Sequence, residues 1–340
     1  MKQLSILILF VIAGLQSNAK VWRINNTPGV VADFPSCDAA VLSSSVVNDD
    51  TLYVEGSSIA YAGFTLNKRL VIIGTGYFLS GANSNTGLQA NPNSSFFNGG
   101  YIIFDSTGSG STLIGLDYFT FAIGPTGSAA DNITLTRCRI YSITSYYGPV
   151  ANTIMTGWKI NKSHLNDISL GTCVFQNWEV TNNIFIGALN MNSTGNLNNL
   201  VRNNVIRGTI NLYSAYFSNN IITGTTFTTV NVTVKNNISN GSILPAGNGN
   251  LNNQSDAVVF QGLTGNSTDG QWRLAPGSTA IGAGETISSI TPDCGAFGTA
   301  DPYKLSGIPA IPTIYSLTVP ASVPSNATTM PITISTRSNN

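Results

Sequence analysis

The feature that most constrains this chain is an internal repeat in its central third. Six segments align, beginning at Leu135 (Leu-Thr-Arg-Cys-Arg-Ile), Ile160 (Ile-Asn-Lys-Ser-His-Leu), Val180 (Val-Thr-Asn-Asn-Ile-Phe), Val201 (Val-Arg-Asn-Asn-Val-Ile), Phe217 (Phe-Ser-Asn-Asn-Ile-Ile) and Val234 (Val-Lys-Asn-Asn-Ile-Ser). Their anchors are 25, 20, 21, 16 and 17 residues apart, the length of one solenoid turn made of short strands. The anchor and the residue five places on are apolar in every copy but the last, which ends in Ser239. Offsets two and three become Asn-Asn in four consecutive copies. Asn tolerates the left-handed backbone that a sharp bend requires, and its amide can bond to the Asn of the next coil. Asn182, Asn203, Asn219 and Asn236 are therefore predicted to form a stacked structural ladder, with Asn183, Asn204, Asn220 and Asn237 beside it.

The repeat predicts an all-β chain: a right-handed parallel β-helix with Asn-ladder turns. Strand-like runs at 51–54 and 66–73 read as the first coils, 80–100 as a long Gly/Asn/Ser loop, and 101–104, 112–116 and 118–123 as further strands. The body is assigned to residues 20–305, and 306–340 to a Pro-rich linker with a short C-terminal β tail. At roughly 22 residues per coil the body allows at most about 13 coils, a rod of about 60 Å at about 4.8 Å per coil. Offset four carries Ile184, Val205, Ile221 and Ile238, an outward apolar stripe that a loop, the tail or a partner should cover.

Residues 1–19 read as a cleaved export signal: Lys2, an apolar run from Leu4 to Leu15, then Ser17-Asn18-Ala19. The run is about 12 residues, short of the roughly 20 that span a bilayer, so no membrane span is expected and the chain should be secreted or sit at the cell surface. Charged residues are 9% of the sequence, balanced at 15 basic and 15 acidic, which argues against nucleic acid as a partner. Four cysteines, Cys37, Cys138, Cys173 and Cys294, suit disulfides or buried thiols in an exported protein, with Cys138 and Cys173 the favoured pair.

Several motifs carry a family resemblance. The Asn-Asn repeats, the run from Leu70 to Tyr77, the closing segment from Trp272 to Gly284 and Asp293-Cys294-Gly295-Ala296-Phe297-Gly298 resemble secreted proteins of the pectate-lyase-like β-helix superfamily, over residues 21–305. The resemblance implies the fold and a largely uncharacterised branch of it, without fixing an activity.

Relatives of that fold that cleave polysaccharides use clustered Asp residues, or a basic residue with an acidic calcium set. This chain has no carboxylate between Glu179 and Asp256, so its central coils lack both sets, and no metal site or cofactor is expected; calcium would enter only if the protein were a lyase. Asp49 and Asp50 read as a solvated turn. What the alignment gathers is basic. Arg137 and Lys162 share offset two, Arg139 and His164 share offset four, and Lys159 and Glu179 share the place before the anchor. Arg137, Lys162 and His164 are the candidate catalytic groups for β-elimination on a uronic acid polymer. Arg137, Arg139, Lys159, Lys162 and Glu179, with Tyr146 and Tyr147 in the long 25-residue coil, are the candidate substrate contacts. Asp131 and Asp167 flank the patch and could orient His164 or bind a cation. The expected function is binding of an extracellular polysaccharide, neutral or anionic, by a monomer, or a structural role. A lyase or glycoside hydrolase, and a protein-partner module, are the alternatives.

Overall fold

The computed structural model describes residues 19–123, 129–145, 153–171 and 173–339. They form a parallel β-solenoid. One face is a ten-stranded parallel sheet running in chain order from Val21–Ile24 to Thr233–Lys235. A second is a twelve-stranded sheet whose main path runs from Phe64–Leu66 to Ile238–Ser239, and a short third face pairs Ile154–Thr156 with Val174–Gln176. The register matches the repeat: Leu135, Ile160, Val180, Val201, Phe217 and Val234 stack in one column. These anchors face a continuous core in which Trp158 and Trp178 lie parallel, 4.9 Å apart. Both are packing residues, and neither reaches the surface.

The two Asn columns divide the work of the bend. Asn182, Asn203, Asn219 and Asn236 all sit at φ between 52° and 58°, and Arg137 and Lys162 take the same left-handed conformation at 55° and 51°. The second column makes the ladder. Asn183, Asn204 and Asn220 donate Nδ2 to the Oδ1 of Asn204, Asn220 and Asn237 at 2.9–3.0 Å. Each receiving Oδ1 also accepts the backbone N–H of the Asn one coil back, and the second Nδ2 proton reaches a carbonyl of Ile160, Val180 or Val201. Ser163 and Cys138 continue the column upstream, and Asn250 downstream. The continuous amide ladder thus runs through the second Asn of each pair, while the first Asn residues, the ones predicted to carry it, share one amide contact, Asn219 Nδ2 to Asn203 Oδ1 at 3.4 Å. The side chain two places after the anchor points outward, and the one three places on turns into the dry core.

The last solenoid strand is Ile238–Ser239, so the coils stop well before residue 305 and the ten-stranded face has fewer rungs than the length allowed. Residues 257–308 instead form a strap that runs back along the bends. Asn236 donates to Ala283 O, Asn219 Oδ1 accepts Glu285 N, Asn203 donates to Asp293 O, Asn182 to Ala296 O, Lys162 pairs with Asp301, and Arg137 Nη1 donates to Ile308 O. Each step toward the strap's C-terminus meets the next coil toward the N-terminus. The stripe of Ile184, Val205, Ile221 and Ile238 is sealed beneath the strap against Val259, Phe260, Trp272, Ala280 and Ala296, forming a second core. Each aliphatic side chain so covered is worth about 1.5–3 kcal/mol. Gly295 (φ +88°) explains part of the closing motif, since a Cβ there would stand 2.7 Å from Ile221 Cδ1.

No bridge joins Cys138 to Cys173. Cys138 occupies the ladder column with its sulfur 3.3 Å from Thr136 O, while Cys173 directly precedes the strand Val174–Gln176 of the third face. Burial pushes the Cys138 and Cys294 thiols up to about 12, so both are inert neutral groups. The tail is an antiparallel hairpin of Thr313–Thr318 and Thr333–Arg337, and no helix among the described residues is long and apolar enough to cross a membrane.

Replacing Asn204 with Leu strands the backbone N–H of Asn183 and the carbonyl of Val180, and is predicted to cost about 2–4 kcal/mol. Asn203→Gly keeps the left-handed bend and loses one strap contact, at a cost of about 1 kcal/mol. Thermal unfolding of the two variants checks this; equal melting temperatures would contradict the assignment of the ladder to the second Asn.

Candidate saccharide site

The basic patch does not survive as a patch. Register places Lys159 beside Glu179 and Arg139 beside His164, as the alignment required, but the six residues point to different jobs. Arg137 is buried on Ile308 O and Lys162 is held by Asp301, so both anchor the strap. Lys159 and Glu179 are a half-exposed pair at 3.3 Å, worth under about 1 kcal/mol. His164 is buried beneath Phe78, with ring centroids 5.2 Å apart, and its Nε2 has no partner. Burial, reinforced by the nearby Arg139 and Arg207 charges and only partly opposed by Asp269, drops it from 6.5 to about 4, so it is a neutral packing group. Asp131 and Asp167 do not orient it: Asp131 accepts Thr156 N–H, and Asp167 accepts the Ser142 hydroxyl and the Asn166 amide. Asp49 is solvated against Arg69, but Asp50 is buried and takes Lys20 N–H, Trp22 Nε1–H and Val47 N–H, closing the first coil. Tyr146 and Tyr147 lie outside the described residues.

Arg139 is the member of the patch that opens onto a site. It extends one coil back to Asp117, with Nε 2.6 Å from Oδ1. The other Asp117 oxygen accepts the Ser94 hydroxyl at 2.5 Å. Burial holds the Asp117 carboxyl above its ordinary range, while the charge of Arg139 and the Ser94 hydroxyl pull it back. Next to this pair the strand carries a bulge. Asp117 faces Arg139 and Phe119 faces Ile140, so Tyr118 is an extra residue, and it sits at φ 52°. A bulky aromatic in the left-handed region is an uncommon, costly conformation that surrounding structure must hold in place.

The bulge throws Tyr118 out of the core onto a surface shelf. Its ring lies almost parallel to Phe96, centroids 5.7 Å apart and 17° between planes, and 5.3 Å from Tyr141 on the other side. Tyr118 is 41% exposed and Tyr141 48%, with Phe96 half-buried beside them, so three successive coils bring an aromatic ring to the same stretch of surface. The Arg139 guanidinium stands 4.6 Å over Tyr118 and 5.0 Å over Phe78, linking the shelf to an adjoining 270 Å³ pocket. That pocket is edged by Ser57, Ser58, Ser80, Asn93 and Ser94, with Asp117 and Arg139 at its floor. Stacked rings beside hydroxyl, amide and paired charged groups suit a ring that is apolar on its face and polar at its edge. Among the described residues no group of His, Cys, Asp or Glu is placed to hold a metal ion.

Of this site, Arg139 is the residue that the sequence pattern had singled out. Phe78, Phe96, Asp117 and Tyr118 escaped it. Carrying the alignment one coil further, onto Leu113-Ile114-Gly115-Leu116-Asp117, sets Asp117 in the Arg139 column and would have found the pair. Comparison with known protein families, curated proteins and solved structures finds no match.

The sealed state of His164 has a measurable consequence. The unfolded chain takes up its proton near 6.5 and the folded chain only near 4, so the stabilisation is complete above 6.5 and is lost as pH falls toward 4, by on the order of 3 kcal/mol. His164→Phe removes that term, and its melting temperature is predicted to fall less between pH 7 and pH 5 than the parent's. Parallel pH profiles for the two proteins would contradict the neutral, buried His164.

Proposed function

We propose that the protein is an exported β-solenoid that binds an extracellular polysaccharide across the shelf of Phe96, Tyr118 and Tyr141, with Arg139 and Asp117 gripping hydroxyls at its edge. The observation that carries this reading is the bulge at Tyr118. It spends backbone strain to hold an aromatic ring in solvent, on a chain whose other large aromatics mostly pack inward. The export signal read in residues 1–19 and the resemblance to secreted pectate-lyase-like β-helices support an extracellular polymer as the partner. A solenoid flank repeats its chemistry from coil to coil at about 4.8 Å, which suits an extended chain of sugars better than a single small molecule.

Elimination chemistry at Arg137, Lys162 and His164 finds no support in the geometry. The first two are engaged by the strap, and the third is buried beneath Phe78. The shelf requires no reacting group, and its residues serve binding.

Tyr118→Asn keeps a residue that tolerates the left-handed bend while removing the ring. This variant, and Tyr141→Ala, are predicted to weaken retention on polysaccharide affinity gels by about tenfold, the loss typical of a central aromatic contact. Lys159→Ala should change it less than about twofold. Undiminished retention of both tyrosine variants on every polymer the parent binds would remove the shelf from the reading.

A further inference from the structure

The chain is charge-poor and neutral overall, yet three cations converge on one cavity that the shelf does not use. Arg273, Lys304 and Arg337 line a 420 Å³ pocket between the end of the strap and the C-terminal hairpin. Among the described residues, none of the three makes an ion pair and no carboxylate lines the pocket. Asp301 lies close enough to be felt by Lys304, but its carboxylate is taken by Lys162.

The cations are also positioned. Arg337 Nη2 donates to Leu88 O at 2.6 Å and its guanidinium stands 5.6 Å from the Tyr315 ring, while its Nε is buried without a partner. Arg273 lies 6.0 Å from the Phe297 ring. The rest of the lining is largely apolar, with Leu88, Phe297, Leu305 and Ile308 beside the polar Ser338 and Asn339. Three like charges around a cavity repel one another, and a bound anion relieves that repulsion while supplying acceptors for guanidinium forks. The volume is in the range of small-ligand sites, and the apolar lining fits a ring better than a bare inorganic ion.

We propose that this pocket binds an acidic saccharide unit, a sugar ring carrying a carboxylate or a sulfate, and so assigns the polymer its acidic class. The inference rests on the polysaccharide reading for the sugar scaffold, but it uses residues that the shelf does not. The anionic group would sit among Arg273, Lys304 and Arg337, with the ring on the Phe297 side.

Calorimetric titration of the full chain with uronic acid oligosaccharides, sulfated oligosaccharides and an uncharged oligosaccharide tests it, using the parent, Arg273→Gln/Lys304→Gln, Lys304→Glu and Tyr118→Asn. The parent is expected to bind one acidic class with an affinity that falls as salt rises, and the carboxylate and sulfate arms identify which. Both pocket variants should lose about tenfold or more for that class, with melting temperature and binding of the uncharged sugar unchanged. Equal acidic-sugar affinity in parent and pocket variants overturns the proposal, and if Tyr118→Asn alone then weakens binding, the shelf reading stands without it. Inorganic sulfate competing as strongly as the sulfated sugar would overturn the saccharide assignment, leaving a simple anion site.

Discussion

Everything in this fold depends on a buried amide that satisfies itself by stacking. A parallel solenoid must bend sharply once per coil, and every bend exposes backbone groups that cannot be left unpaired in a dry core. The column of Asn183, Asn204, Asn220 and Asn237 resolves this by repetition, because each side chain accepts from one neighbour and donates to the next. A single such Asn buried alone would be a liability; in a stack each is completed by the coils above and below. The same bend turns its preceding residue outward in the left-handed conformation, and that outward residue sets the second level of organisation.

At that second level the chain folds back on itself. The outward Asn, Lys and Arg side chains at the bends form a polar row, and the strap from 257 to 308 meets it in matching order, with carbonyls and a carboxylate at every position but Asn219, which accepts the Glu285 N–H. Apolar cover of Ile184, Val205, Ile221 and Ile238 provides the larger share of the stabilisation, and the polar row sets the register of the strap on the stack. Arg137 and Lys162, two of the three residues that suggested chemistry, are earlier members of that row. Further toward the N-terminus the stripe turns polar, at His164, Arg139 and Asp117, and its cover passes from the strap to the loop around Phe78. The shelf lies at that change of cover. A surface open enough for a ligand, next to a rigid stack, is where a solenoid can place recognition without weakening its core.

Most of the architecture was legible because it is periodic. Apolar anchors at solenoid spacing and paired Asn residues specify strand, bend and register together, and the pairing of Lys159 with Glu179 and of Arg139 with His164 followed from alignment alone. The apolar stripe also announced that something must cover it. What covers it was not legible, since residues 257–308 have no repeat and their role depends on carbonyls that carry no side-chain signature. The site was obscured for a related reason. Alignment brings residues to the same column but does not say whether a loop will bury them, and so it grouped the sealed His164 with the accessible Arg139. Tyr118 is harder still, because a bulge breaks the period from which every other position was read.

The central claim is that this rigid stack presents one aromatic shelf to a polysaccharide. Hydroxyl-radical footprinting of the unmodified protein, with and without a saturating polysaccharide, reads the exposure of each ring directly. The account predicts strong protection of Tyr118 and Tyr141, with no change at Tyr213 or Tyr216. Unaltered oxidation of Tyr118 and Tyr141 under saturating polymer, with protection elsewhere on the solenoid, would contradict it.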